Sequence, residues 1–355
     1  MLQSYKKKMI FANMNDEEYI LRCLEIAKFG QMYVSPNPMV GALLVDPITD
    51  TVVAEGWHQR FGGAHAEVEC FASADRQMAD LSDAKRQARY AQLTLYVSLE
   101  PCSHYGKTPP CADLIIRKGV KRVVVGMQDP NPQVAGQGIA RLRDAGIEVT
   151  VGVAEQACRE LNKRFLCLHE KHRPYVILKW AQTADGFIDQ KRDSGSPLVI
   201  STPLTKRLVH KMRAENMAIL VGTRTALLDN PSLLTTRWPG KNPVRLLLDR
   251  HDVVPRSSKI FSEDAETIVY RDNTDWRFIL DDLAHRGIHS VLVEGGSTVL
   301  QHILETGIWD EMHIEVSPVR IDDGVPAPRI NLPEKYDEID GNKLFTVLHD
   351  KKIAK

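Results

Sequence analysis

Hydrophobic positions along the first segment fall at helical spacing. Ile20, Cys23, Leu24 and Ala27 follow Asn15, and Asn15 with Glu18 three residues on makes a capping-box pair. The period then changes. Residues 40–45 and 51–55 are short β-branched runs around a turn and predict two strands. A helix begins near His65. Strands at 93–98, 121–125 and 148–152 then alternate with helices at 111–118 and 138–145. A charged helix over 154–171 runs into His172-Arg173-Pro174, and proline disfavours helix at the residue before it. The domain boundary is placed there. The pattern restarts with a strand at 175–180, a helix at 203–215 and strands at 218–221 and 244–249. A strand near 267–270, a helix near 276–285, a strand at 290–294, a helix at 297–306 and a strand at 312–316 close it. Both halves therefore read as α/β. The expected organisation is a tail over 1–14, a first domain over 15–155, a helical linker over 156–173 and a second domain over 174–355.

Composition agrees with two domains. The chain has 355 residues, against a usual size of about 150 per domain. Hydrophobic content of 43% and charged content of 26% describe an ordinary soluble globular protein. Forty-six basic and 46 acidic residues cancel, which argues against bulk nucleic-acid or membrane binding. The apolar run Met9-Ile10-Phe11-Ala12 is too short for a signal sequence, and no stretch of about 18 apolar residues occurs. The expected location is the cytoplasm, with no membrane and no nucleic acid as partner.

Six cysteines in a chain of this length do not make a disulfide framework. Cys23, Cys70, Cys158 and Cys167 lie in predicted helices and read as small buried hydrophobes. Cys102 and Cys111 differ. Pro101-Cys102 follows a strand, Cys111 opens a helix, and His65-Ala66-Glu67 stands just after Gly62-Gly63. One imidazole and two thiolates suit zinc, and three protein ligands leave a fourth position for water. The ligands lie at or near helix N-termini, where the helix dipole favours thiolate. Zinc lowers the pKa of its water to about 7, and Glu67 is placed to take the water proton and hand it to a leaving ammonia. His-x-Glu followed by Pro-Cys is the pattern of zinc deaminases. A purely structural zinc would need a fourth protein ligand, for which His104 is available.

Eight residues lie between the cysteines along Pro101-Cys102-Ser103-His104-Tyr105-Gly106-Lys107-Thr108-Pro109-Pro110-Cys111. This stretch resembles the bifunctional riboflavin-biosynthesis deaminase/reductase family, as do Pro36-Asn37-Pro38-Met39-Val40-Gly41, Gly56-Trp57-His58 and Gln128-Asp129-Pro130-Asn131-Pro132. The resemblance covers nearly the whole chain from about Asn15. It implies a cytidine-deaminase-like three-layer domain followed by a dihydrofolate-reductase-like one. The implied substrate is 2,5-diamino-6-(ribosylamino)-4(3H)-pyrimidinone 5′-phosphate, contacted in the first domain by Asn37, His58, His104, Lys107, Thr108, Asp129 and Asn131. Lys107 and His104 suit a phosphate, and Asn37 and Asn131 suit ribose or base. Turn roles for Asp129 and Asn131 remain open.

In the second half, Val293-Glu294-Gly295-Gly296-Ser297-Thr298 is a strand, a glycine pair and a helix start, a place where backbone amides can approach a phosphate. It is not G-x-G-x-x-G, so a Rossmann domain is not supported. The segments 178–186, 211–214 and 220–231 resemble the same family's reductase domain in order. That resemblance implies NADPH and conversion of the ribosyl group to ribityl. Lys179 would be catalytic. Arg213 and Arg237 would hold the 5′-phosphate, with Leu233 and Glu294 also at the substrate. Ala181, Val199, Thr225, Asp229, Gly296 and Ser297 would face the dinucleotide. Two departures stand out. Val199 takes the place of a tryptophan frequent in the family, and Leu233-Leu234-Thr235-Thr236-Arg237 is one residue longer than usual, so that Arg224 is an alternative to Arg237. The chain is expected to carry one zinc ion and to form a homo-oligomer, dimer or tetramer. A nucleoside or RNA deaminase with an accessory domain, a regulatory protein with a structural zinc, and a degenerate second domain remain as alternatives.

Overall fold

The computed structural model describes residues 14–105, 109–131 and 134–349. Lys107 and Thr108 lie outside the described residues. The chain forms two compact units that divide between Glu170 and Lys171.

The first unit runs α1 (Asp16–Ala27), β1 (Gly41–Asp46), β2 (Thr51–Trp57), α2 (Ala66–Gln77), α3 (Asp83–Tyr90), β3 (Thr94–Leu99), α4 (Cys111–Lys118), β4 (Arg122–Met127), α5 (Gln137–Asp144), β5 (Glu148–Val151), α6 (Glu155–Leu161) and α7 (Lys163–Lys171). The sheet order is β2-β1-β3-β4-β5. β1 is antiparallel to both neighbours, while β3, β4 and β5 are parallel. Side chains of a strand alternate between faces. Ala42, Leu44, Leu95, Val97, Val123 and Val125 pack with α2 and α4 on one face. Leu43, Val45, Tyr96 and Val124 pack with α1 and α6 on the other. Helices cover both faces, which is why β1 and β3 are buried at every position and read as unbroken apolar runs. The capping box of Asn15 and Glu18 is formed.

Residues 154–171 depart from the expected single helix and linker. Asn162 separates α6 from α7, because its buried side chain accepts from Met39 N (2.8 Å) and donates to Met39 O (3.0 Å). Cys158 and Leu166 belong to the core of the first unit. The segment is packed structure tied to the loop that carries Asn37.

The second unit runs β6 (Tyr175–Gln182), β7 (Phe187–Asp189), α8 (Pro203–Glu215), β8 (Ala218–Gly222), α9 (Thr223–Asp229), β9 (Val244–Leu248), β10 (Thr267–Tyr270), α10 (Trp276–His285), β11 (Ser290–Val293), α11 (Ser297–Thr306), β12 (Glu311–Val316), β13 (Val325–Pro326), β14 (Asp337–Ile339) and β15 (Asn342–Leu348). The main sheet is ordered β10-β9-β8-β11-β6-β12-β15-β14, parallel from β10 to β12 and antiparallel beyond. β7 and β13 pair separately. The hydrophobic pattern stopped at β12. It missed β15, where exposed Lys343 and Thr346 break any two-residue alternation and only Asn342 and Phe345 are fully buried, and it missed the seven-residue helix α9. β8, β11 and β6 lie side by side with Leu220, Val293 and Leu178 in register, so Glu294, the first residue past the carboxyl end of β11, stands level with Lys179, while β6 itself runs on to Gln182. Ligands of parallel α/β sheets bind beyond such carboxyl ends.

Candidate active sites

In the first unit the site is built at two helix starts and one strand end. His65 is the N-cap residue of α2, in extended backbone, and its side chain makes no capping bond. A capping side chain would turn back onto its own helix. The imidazole points instead at the cysteines: Nδ1 lies 3.6 Å from Cys102 Sγ and 3.3 Å from Cys111 Sγ. The helix start sits close against β2 because Gly56 allows it; a Cβ there would meet Cys70 N at 2.2 Å. Cys111 begins α4 and donates its backbone N–H to Cys102 Sγ (3.3 Å).

The three ligand atoms lie within 4.8 Å of one another, and the described residues add no fourth ligand to the group. Tetrahedral zinc with bonds of about 2.0–2.1 Å to nitrogen and about 2.3 Å to sulfur sets N···S edges of about 3.5 Å. The observed edges bracket that value, so the donor set fits zinc. His104 is exposed and stands apart from the cluster.

Electrostatics favour a thiolate here. Hydrogen bonds from the Cys111 thiol and then from His65, acting against burial, push Cys102 down to about 4. The bond with Cys102 in turn raises the Cys111 thiol and the His65 imidazole. Glu67, in the first turn of α2, is 3% exposed. Burial, with the Cys102 thiolate adding to it, pushes its carboxyl up to about 7. A carboxyl at that value can hold or release a proton near neutrality.

His58 is buried, and burial lowers its pKa. Its Nδ1 lies 2.8 Å from Ala64 O and its Nε2 3.1 Å from Asn37 Nδ2. The contacts fit a neutral ring that donates from Nδ1 to the carbonyl next to His65 and accepts from Asn37 at Nε2. The His58 and His65 rings meet edge-on at 5.7 Å. Asn37, His58 and His65 thus form one continuous wall. Asp129 and Asn131 lie on the loop after β4, where Asp129 Oδ1 accepts from Asn131 N (2.8 Å) and burial raises the Asp129 carboxyl. The sequence pattern did not mark Glu100, whose buried carboxylate accepts from Asp129 N and Gly136 N of that loop and from Gly138 N and Ile139 N in the first turn of α5. Its one signal was a carboxylate placed directly before Pro101-Cys102.

The second unit holds a cleft of about 510 Å³. Lys179, Ala181, Val199, Thr225, Asp229, Glu294, Gly296 and Ser297, eight of the predicted residues, line it. Val199 is 69% exposed, an unusual setting for a valine. Arg192, not singled out from sequence, spans the floor, with Nε donating to Asp189 (2.7 Å) and Nη2 to Asp229. Asp229 is therefore already paired. Gly296 has φ +76, a left-handed conformation that glycine tolerates, just before α11.

Arg213 and Glu294 pair with each other. Arg213 Nε donates to Glu294 Oε1 (2.8 Å), Nη2 to Oε2 (2.6 Å), and Nη1 to Leu234 O (3.2 Å). Burial raises the Glu294 carboxyl, but the Arg213 cation and Lys179 outweigh it and hold the group low. Burial lowers the Lys179 ammonium, with Glu294 and Glu315 opposing. Leu233 is buried at φ +57, a strained state for a branched side chain that sets the turn presenting Leu234 O. Arg237 is exposed and Arg224 donates to Arg192 O (3.0 Å). His210, also passed over, accepts from Thr236 N at Nδ1 (3.1 Å), beside Arg213.

Residues 13–127 match the cytidine and deoxycytidylate deaminase zinc-binding region, and residues 174–326 match the RibD C-terminal domain. The riboflavin biosynthesis protein RibD of Aquifex aeolicus is 39% identical over 332 residues, which is 87% of this chain and 89% of the relative. The chain belongs to the RibD family of riboflavin biosynthesis proteins. RibD of Escherichia coli is 36% identical over 340 residues, 86% of this chain and 88% of the relative. A crystal structure of the diaminohydroxyphosphoribosylaminopyrimidine deaminase/5-amino-6-(5-phosphoribosylamino)uracil reductase of Thermotoga maritima superposes with a TM-score of 0.81 at 37% identity, covering 93% of this chain and 97% of that one. The RibD architecture, an α/β deaminase domain followed by an α/β reductase domain, is the one expected from the sequence. Among the described residues no helix is long and apolar enough to cross a membrane.

Proposed function

We propose that the chain is a bifunctional riboflavin-biosynthesis enzyme. Its first unit deaminates 2,5-diamino-6-(ribosylamino)-4(3H)-pyrimidinone 5′-phosphate, and its second reduces the ribosyl group of the product to ribityl with NADPH. The carrying observation is the His65, Cys102 and Cys111 cluster, of zinc dimensions, with the buried carboxyl of Glu67 beside it. Zinc, when bound by these three residues, lowers the pKa of water to about 7 and so supplies a nucleophile at neutral pH. Glu67 takes a proton from water and delivers it to the leaving amino group. The ring carbon gains oxygen and loses ammonia. His58 and Asn37 orient one side of the substrate, Asp129 and Asn131 the other, with His104, Lys107 and Thr108 for its phosphate.

In the second unit NADPH supplies the hydride. Ala181, Val199, Thr225, Asp229, Gly296 and Ser297 hold the dinucleotide along the cleft. Lys179 is the proton-carrying group at the reacting sugar, Arg213 and Arg237 take the phosphate, and Leu233 and Glu294 complete the contacts. The Arg213–Glu294 pair leaves guanidinium N–H groups for a phosphate, since a guanidinium has five donors and three are used within the protein. The reading includes a cytoplasmic location and a homo-oligomer, dimer or tetramer, which light scattering tests.

The diaminopyrimidine ribotide is incubated with the zinc-loaded chain, with and without NADPH, while ammonia release and loss of NADPH absorbance are followed separately. Ammonia release without NADPH, followed by NADPH loss when it is added, supports both halves. Deamination of cytidine or RNA with none of the ribotide refutes the reading.

A further inference from the structure

Glu100 stands between β3 and the ligand Cys102, and its carboxylate is buried against backbone amides. Oε2 accepts from Asp129 N (3.1 Å) and Gly136 N (2.9 Å). Oε1 accepts from Gly138 N (2.9 Å) and Ile139 N (3.2 Å). An ionised carboxylate has about four lone-pair sites, so these four donors use all of them.

The geometry has two parts. Gly138 and Ile139 lie in the first turn of α5, whose N-cap Gly136 has no side chain to cap with. Glu100 caps that helix from the loop just after β3, and the helix dipole favours its negative charge there. Gly138 also comes so near that a Cβ on it would lie 2.0 Å from Pro101 O. The start of α5 is thereby pressed against the backbone that leads into Cys102. The amides of Asp129 and Gly136 bound the segment that carries Asp129 and Asn131. One carboxylate therefore ties both ends of that segment to a point two residues before the ligand.

We propose that Glu100 is a positioning residue for deamination: by holding the amides of Asp129 and Gly136 it fixes Asp129 and Asn131 relative to the metal ligands and so sets substrate affinity. This rests on the assignment of Asp129 and Asn131 to the substrate under Proposed function. Glu100→Gln keeps the shape of the side chain but replaces one acceptor oxygen by an NH₂, which faces backbone donors. Two of the four amides lose their partner.

The test uses the full zinc-loaded chain and the diaminopyrimidine ribotide. For Glu100→Gln we expect KM for deamination to rise about tenfold and kcat to change less than about threefold. Zinc per chain and NADPH-dependent reduction of the deaminated ribotide should equal wild type, since the reductase site lies in the other unit. An unchanged KM, or a loss of activity that follows loss of zinc, overturns the proposal. If Glu100→Gln does not fold, Glu100→Asp is read by the same criteria, because it keeps the charge on an arm one methylene shorter. A wild-type chain that releases no ammonia defeats the proposed function, and this inference with it. An active wild type with an unchanged variant KM defeats this inference alone.

Discussion

Replacing Glu67 by Gln probes the proton step with little change of shape. The side chain is 3% exposed and lies in the first turn of α2. Its described interactions are with Cys111, with its own backbone N–H, and with the charges of Cys102 and His65. No ion pair involving Glu67 is found among the described residues, so an amide of the same volume leaves no cation stranded. Folding and metal content should therefore hold. What disappears is a group that can carry a proton near neutrality, where burial has placed it by pushing its pKa up to about 7. A positioned general acid–base contributes about 10²–10⁴-fold to rate. That is roughly 3–5 kcal/mol of barrier. The prediction is a fall in kcat for ammonia release toward the upper end of that range, since the same carboxyl both takes and delivers the proton. The assay is ammonia release from the ribotide at saturating substrate, with zinc per chain measured on the same sample and reductase activity as internal control. A variant within about tenfold of wild-type kcat refutes the assignment. So does one whose loss is matched by loss of zinc.

The Arg213–Glu294 pair is 15% and 11% exposed at its side chains, so Arg213→Met leaves a nearly buried carboxylate without its main partner. Breaking such a pair costs about 3–5 kcal/mol. The thermal transition of the second unit should drop by several degrees, and Arg213→Met/Glu294→Gln should regain most of it; a single variant that melts with wild type would show the pair to be energetically idle. Asp310 accepts from Arg173 (2.5 and 2.8 Å), Lys171 (2.9 Å) and Val176 N (2.9 Å). Burial pushes its carboxyl up, but Arg173 outweighs this and holds it below the usual range. A carboxyl lowered on folding stabilises above its unfolded pKa of about 3.9, and the contribution fades as pH falls through the lower folded value. Asp310→Asn should therefore be less stable than wild type in urea at pH 7, with a gap that narrows below about pH 4. A gap constant down to pH 3 would contradict the sign.

Much of the fold was readable because its central strands are covered on both faces and form unbroken apolar runs. Helices 111–118, 203–215, 276–285 and 297–306 matched to the residue, each marked by proline, glycine or an acidic cap. α3 was invisible, since five of its eight residues are charged or polar and Tyr90 is its one buried side chain. The break at Asn162 was invisible too, because it depends on a partner, Met39, 123 residues away. The metal ligands were legible because three uncommon side chains recur in one order with one chemistry. Glu100 and His210 were not, since a carboxylate that binds amides and an imidazole that binds a turn leave no local signature. The Arg213–Glu294 contact unites two residues predicted separately. Only the adjacency of α8 and the end of β11 brings them together.

The central claim is two successive reactions on one ribotide, the first needing zinc. NADPH consumption is measured with the zinc-loaded and the chelator-stripped chain, using the diaminopyrimidine ribotide or its deaminated product as substrate. The account predicts that stripping abolishes NADPH consumption from the diamino compound and leaves consumption from the deaminated compound unchanged. Equal NADPH consumption from the diamino compound before and after stripping, with no ammonia released, would contradict it.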